Sequence, residues 1–90
     1  MITISEVIEM SGLSVEEVDA IAEHEHLPEA AAVALAAYLL EAGPDGHRRI
    51  VAMIRDDIRL AVSRGDQGHA AELLSALRHF LHDHPTRQPA

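Results

Sequence analysis

The chain contains no cysteine, and Tyr38 and Phe80 are its two aromatic residues. Without cysteine it is neither a disulfide scaffold nor a thiolate metal site, and it has no cysteine nucleophile. Because aromatic residues are scarce while 48% of the 90 residues are hydrophobic, the core must be aliphatic. No stretch is long and apolar enough to span a bilayer, and the N-terminus lacks the basic start and apolar run of a secretory signal. We therefore expect a cytoplasmic protein with no membrane partner.

Basic residues are missing from the first half of the sequence. Residues 1–46 carry ten acidic residues and no lysine or arginine, whereas residues 47–90 carry seven arginines and five acidic residues. The halves therefore have formal charges of −10 and +2, and the net charge is −8. A strongly acidic protein is repelled by nucleic acid, so we expect no nucleic-acid partner. The asymmetry predicts that the acidic half packs beside the arginine-bearing helix, in one chain or across a dimer.

Apolar residues recur at helical spacing throughout, and no segment alternates with the period of a strand. Ser5 is the predicted cap of the first helix, and Ser14 with Glu17 forms the capping box of the second. The third helix is stopped by Gly43-Pro44, and Asp45-Gly46 is a predicted turn. The five predicted helices cover about residues 5–10, 14–26, 28–42, 47–64 and 69 to 82 or 83. The sequence thus predicts a single all-α domain over residues 1–85 and a frayed tail at residues 86–90.

The apolar faces of these helices predict how they pack. The third helix is apolar on every side between Glu29 and Glu41, which is typical of a helix that is central or shared between subunits. We therefore expect a homodimer, with interface residues Val33, Leu35, Leu39 and Leu40. The fourth and fifth helices each carry one aliphatic stripe, and their short connection predicts an antiparallel hairpin. The two stripes are Ile50, Val51, Ile54, Ile58, Ala61 and Val62, and Ala70, Leu73, Leu74, Leu77 and Leu81 with Phe80 beside them.

The N-terminal segment carries a recognisable turn. Ser11-Gly12-Leu13-Ser14 has the glycine expected between two steeply packed helices, and a GLS-V-E turn leads through one helix to a Leu-Pro at Pro28. Residues 4–28 therefore resemble a MerR-type helix-turn-helix, which implies an orthogonal helical pair in a DNA-binding regulator. A recognition helix needs cationic or amide side chains facing the DNA. Because the second helix carries acidic residues instead, we expect the geometry without specific DNA binding; these residues are Glu16, Glu17, Asp19, Glu23 and Glu25.

Of the seven histidines in the sequence, five lie near two predicted helix ends: His24, His26, His79, His82 and His84. Neutral imidazoles three residues apart can chelate zinc or nickel, and a mixed imidazole–carboxylate site would form if the ends of the second and fifth helices met. Histidines in a last helical turn also favour the negative end of the helix dipole without any metal. We therefore expect no bound metal and no cofactor, and the candidate ligands are Glu23, His24, His26, His79 and His82.

Signs of catalysis are absent from the sequence, which has no nucleophile elbow, phosphate loop, dinucleotide turn or HExxH motif. Asp56 and Asp57 are adjacent on a predicted helix and so project about 100° apart, where pairing with nearby arginines is the simpler role. We therefore expect no enzyme. The expected function is a homodimeric protein-interaction or regulatory module. The alternatives are a metal-binding protein that uses the histidine clusters and a helix-turn-helix transcriptional regulator.

Overall fold

The computed structural model describes residues 2–85, which form five α-helices and no strand. The helices are α1 (Ile4–Met10), α2 (Val15–Glu25), α3 (Glu29–Glu41), α4 (Pro44–Ser63) and α5 (Gln67–Asp83). The predicted all-α class and the predicted number of helices are confirmed. None of the helices in this described part of the chain is long and apolar enough to cross a membrane. The tail predicted at residues 86–90 lies outside the described residues.

Three of the helices, α1, α2 and α5, begin at an N-cap residue whose side chain accepts a free backbone amide of the first turn. In α2 the predicted capping box is present, with the Glu17 amide donating to Ser14 Oγ at 3.2 Å and the Ser14 amide donating to Glu17 Oε2 at 3.0 Å. The cap of α1 is Thr3 rather than Ser5, since Thr3 Oγ1 accepts the Glu6 amide at 3.1 Å. Asp66 accepts the amide of residue 69 and starts α5 two residues earlier than predicted.

The predicted turn at Asp45-Gly46 is wrong, because both residues belong to the first turn of α4. Pro44 occupies the first position of α4, where a missing amide hydrogen costs nothing, and Gly43 precedes it with a φ of 77°. Gly46 is buried against the Leu39 carbonyl of α3, which leaves no room for a Cβ atom. The α3–α4 crossing is therefore a close approach of two helix backbones.

The helices form a flat molecule of 43 × 38 × 19 Å, with α2 in contact with all four other helices. Within the described residues α3 contacts α1, α2 and α4 but not α5, so the central helix is α2 rather than α3 as predicted. The most extensive contact joins α4 to α5, which follow each other after a three-residue connection. That contact agrees with the predicted hairpin, and the orthogonal angle between α1 and α2 stays a prediction.

The four apolar residues predicted as an interface on α3 divide into two pairs. Val33 and Leu39 are 5% and 2% exposed and belong to the core of the single chain. Leu35 and Leu40 are half-buried against that core, so they retain surface that a second copy can contact. Tyr38, in contrast, is 69% exposed. Their role in an interface stays a prediction.

The core faces of α4 and α5 are rotated from the predicted stripes. Met53 and Asp57 are buried on α4 while Val62 is 61% exposed, and on α5 Leu74 and Leu81 are 41% and 43% exposed. The residues that fill the core from these helices are Ile50, Met53, Ile54, Ala61, Ala70, Leu73, Ala76 and Phe80. The rotation leaves an aliphatic surface at the edge of the core, called here the outer hairpin face. Val51, Ile58 and Leu77 are half-buried against the core, and Val62, Leu74 and Leu81 beside them are exposed.

Candidate functional site

The start of α5 is joined to the end of α2 by a histidine–carboxylate contact. His69 Nε2 lies 2.7 Å and 3.0 Å from the two carboxylate oxygens of Glu23, and His69 Nδ1 lies 3.4 Å from Glu72 Oε2. The hydrogen bond to Glu23 raises the pKa of His69, and the contact with Glu72 adds to the effect. Carboxylates thus lie at both ring nitrogens of His69, and they stabilise its charged form relative to its neutral form.

A second contact joins the other ends of the same two helices. His79 Nδ1 lies 3.4 Å from Glu17 Oε1 and 3.2 Å from Asp83 Oδ2, and the three residues offer ligand atoms within 4.8 Å of one another. Glu17 is fully buried. His82 is highly exposed and hydrogen-bonds Asp83 at 3.2 Å, which lowers the pKa of Asp83.

These two contacts show that α2 and α5 run in opposite directions. Glu23 near the end of α2 meets His69, and Glu17 near its start meets His79, ten residues further along α5. Ten helical residues span about 15 Å. The end of α2 therefore does not meet the end of α5, and the hypothetical site combining Glu23 and His26 with His79 and His82 is not formed.

Asp57 is a carboxylate on the core side of α4. It is 5% exposed, and within the described part of the chain its Oδ2 atom has no hydrogen-bond partner. The pKa of Asp57 is raised to about 6, chiefly by burial; the charges of Glu23 and Asp56 contribute to this rise, and those of His24 and His69 oppose it. Asp56 pairs with an arginine as predicted, since its Oδ1 lies 3.6 Å from Arg59 Nη1. Among the described residues, no arginine bonds Asp57 Oδ2.

A cavity of about 390 Å³ opens beside Asp57, between the end of α2 and α4. Its lining contains three of the five predicted ligand candidates, and His24 Nε2 lies 3.3 Å from Asp56 Oδ2 across it. The lining residues are Glu23, His24, His26, Asp56, Asp57, Leu60 and Arg64. On the α5 side of Glu23 a second groove, of about 350 Å³, is lined by Glu16, Asp19, Ala20, Glu23, His69, Glu72 and Leu73.

Glu23 lines both cavities, whereas Asp57 lines the first and His69 the second. Three helices supply them: α2, α4 and α5. Imidazole and carboxylate groups are donors that divalent transition metals accept, but among the described residues the set whose ligand atoms lie within 4.8 Å of one another is Glu17, His79 and Asp83. The sequence indicated Glu23 and His24, but it did not indicate His69, because nothing local to His69 shows that α2 packs beside it.

In the segment that resembles a helix-turn-helix, the turn between α1 and α2 has Gly12 at a φ of 82°. The predicted recognition helix α2 packs against every other helix, and its exposed residues are Val15, Glu16, Asp19 and Glu23. An acidic surface of this kind repels phosphates. The geometry therefore gives no support to DNA reading by α2.

No family model matches the chain, and neither a curated protein nor a solved structure matches it.

Proposed function

We propose that the protein is a homodimeric protein-interaction module in which the outer hairpin face receives the acidic α1 surface of a second copy. The observation that carries the proposal is the exposure of aliphatic side chains along both helices of the hairpin. Val62, Leu74 and Leu81 are 61%, 41% and 43% exposed, and they lie beside the half-buried Val51, Ile58 and Leu77. Contiguous aliphatic surface of this kind is typical of a protein–protein contact.

Charge favours an acidic occupant for the outer hairpin face. At 100° per residue, Arg48, Arg55 and Arg59 on α4 and Arg78 on α5 border it, and all four are exposed. Within residues 2–85 the arginine–carboxylate ion pairs are local ones of α4, Arg48 with Asp45 and Arg59 with Asp56. The arginines and the acidic first three helices therefore do not neutralise each other inside one chain, and a second copy can supply the carboxylates.

The surface of α1 has the complementary composition. Ile4, Val7 and Met10 are 45%, 41% and 77% exposed, and the exposed carboxylates of Glu6 and Glu9 lie beside them. Apolar side chains can therefore pack on the outer hairpin face while the two glutamates approach its arginine border. If α1 of each copy docks on the hairpin of the other, the two contacts are related by a twofold axis and the assembly closes as a dimer.

The test compares two leucines of similar exposure. Leu74 lies on the outer hairpin face and is 41% exposed, whereas Leu60 is 44% exposed and lines the cavity on the other side of α4. In sedimentation velocity at tens of micromolar, the wild type and Leu60→Gln should sediment as dimers, and Leu74→Gln as a monomer. A wild-type monomer under these conditions would refute the proposal.

A charge swap identifies the occupant. Arg55→Glu and Glu6→Arg should each weaken the dimer, and the double variant should recover part of the lost affinity, because opposite charges again face each other. If Leu74→Gln produces monomers while Glu6→Arg changes nothing, the hairpins pack against each other and docking of α1 is wrong. High salt should weaken the wild-type dimer.

A further inference from the structure

The fully buried carboxylate of Glu17 faces two side chains from the end of α5. Glu17 Oε1 lies 3.4 Å from His79 Nδ1, and the same nitrogen lies 3.2 Å from Asp83 Oδ2. The three residues offer ligand atoms within 4.8 Å of one another. One imidazole nitrogen is thus flanked by two carboxylates that come from different helices, so tertiary packing assembles a set of nitrogen and oxygen donors.

The spacing of these donors is close to that of a zinc coordination sphere. Bonds from zinc to imidazole nitrogen and carboxylate oxygen are about 2.0–2.2 Å long, so neighbouring ligand atoms of a tetrahedral site stand about 3.3–3.6 Å apart. The two distances from His79 Nδ1, 3.4 Å and 3.2 Å, lie at or near this range. Rotation of the Asp83 side chain, which is 41% exposed, can adjust the separation of the two carboxylates.

The outer oxygen of each carboxylate is held by a hydrogen bond. Glu17 Oε2 accepts the Ser14 amide at 3.0 Å, and Asp83 Oδ1 lies 3.2 Å from His82 Nδ1. Each carboxylate therefore directs one oxygen toward His79 while its other oxygen is fixed. Outer hydrogen-bond partners orient metal-binding carboxylates in the same way, and these two contacts are independent of the ligand distances themselves.

A groove of about 280 Å³ opens beside His79. It gives an ion a route from solvent to the imidazole, and it has room for a water molecule as a further ligand. The net charge of −8 attracts cations to the protein. The residues that line the groove are Ser14, Glu16, Ser75, Ala76 and His79.

We propose that Glu17, His79 and Asp83 bind one divalent transition-metal ion, with water as the fourth ligand. The ion takes the place of the proton with which His79 Nδ1 binds a carboxylate, and the two carboxylates balance its charge of two. Mixed nitrogen and oxygen donors suit zinc and neighbouring first-row metals, whereas Ca²⁺ and Mg²⁺ favour oxygen ligands. The bound ion links the first turn of α2 to the last turn of α5. Of the candidates predicted from sequence, His79 is a ligand and His82 orients Asp83.

His69 provides a matched control for His79. It is also a histidine of α5 that contacts a glutamate of α2, with its Nε2 2.7 Å from Glu23 Oε2. Its second carboxylate, Glu72, lies at the other ring nitrogen, Nδ1, so the two carboxylates are on opposite sides of the ring and do not share an ion with one nitrogen. His69→Ala therefore removes a similar contact between the same two helices and leaves the proposed ligands intact.

The experiment uses the untagged full chain, stripped with chelator and titrated with Zn²⁺ in a calorimeter, with Co²⁺ as a spectroscopic probe. We expect one zinc per chain in the wild type and in His69→Ala. His82→Ala removes an outer partner and should weaken zinc binding by about 10-fold, whereas His79→Ala and Glu17→Gln each remove a ligand and should weaken it by about 100-fold or more. The Co²⁺ absorption bands of the site should disappear in these last two variants.

Glu17→Gln separates loss of the site from loss of the fold, because glutamine also completes a capping box; Asp83→Asn is a second such variant, and far-UV circular dichroism checks both. Zinc bound by His79→Ala but not by His69→Ala would place the ion at Glu23 and overturn the proposal. Equal zinc binding by the two histidine variants, or no binding by the wild type at micromolar zinc, would also overturn it. Leu74→Gln should still bind one zinc, because all three ligands belong to one chain; this result separates the site from the dimer.

Discussion

Gly46 tests how closely α3 and α4 approach each other. A Cβ atom at residue 46 would overlap the Leu39 carbonyl, with its oxygen and carbon atoms both well inside 3.0 Å. Replacing glycine by alanine inside a helix ordinarily stabilises a protein by about 1 kcal/mol. Here the obstacle is the backbone of a neighbouring helix, which cannot turn aside as a side chain can, so we expect a steric cost of about 3 kcal/mol or more.

The net effect of Gly46→Ala should therefore be a loss of about 2 kcal/mol or more. For a domain of this size that loss lowers Tm by about 8–16 °C, which thermal and urea melts followed by circular dichroism will measure. Gly68→Ala is the control, because a Cβ atom at residue 68 would lie 3.9 Å from its nearest heavy atom, Asp66 Oδ1. This substitution should raise the free energy of unfolding by up to about 1 kcal/mol. If Gly46→Ala proves as stable as the wild type, the two backbones are not in contact.

Three further predictions follow from burial and charge. Because the pKa of Asp57 is about 6, above its ordinary 3.8, the wild type should lose stability as the pH rises from about 4 to 6. Asp57→Asn should remove that loss and gain up to about 3 kcal/mol near pH 7 in urea melts. Leu39→Ala should cost about 2–5 kcal/mol and the half-buried Leu40→Ala measurably less. Duplex DNA should not be bound specifically at physiological salt, since Glu16 and Asp19 repel phosphates; a footprint lost on mutating either residue would contradict this.

Helix ends were largely predictable because the signals that set them act within a few residues. Ser14 and Glu17 satisfy each other's backbone amides, and the glycine at residue 12 supplies the positive φ of the first turn. The start of α4 was mispredicted because Gly43-Pro44 can end one helix and begin the next at the same point. A pattern of residue types does not distinguish these two uses of proline.

The buried faces were harder to predict because α4 is aliphatic over more than half of its circumference. Val62 and Met53 lie on opposite sides of Ile54, and the helical pattern alone gives no reason to prefer one side. Asp57 is buried on the same side of α4 as Met53, and its charge makes that side look solvent-exposed in the sequence. The choice depends on where α2 lies, which is a tertiary property.

The candidate site was predicted in part for the same reason. The density of carboxylates and imidazoles indicated Glu23 and His24, but the contact between Glu23 and His69 joins residues 46 apart in sequence. Asp57 is a polar residue among the apolar residues of α4, which is a further local signal, but the sequence analysis interpreted it as a partner of a neighbouring arginine.

The central position of α2 determines how the molecule opens. Because α2 contacts all four other helices, exposing its amides to solvent requires nearly the whole core to separate. Hydrogen exchange of buried α2 amides should therefore report the global free energy of unfolding, while the seven-residue α1, which contacts α2 and α3 alone within the described chain, should exchange through cheaper local opening. If α1 docks on a second copy, its protection will rise with protein concentration while that of α2 follows the stability of the whole fold.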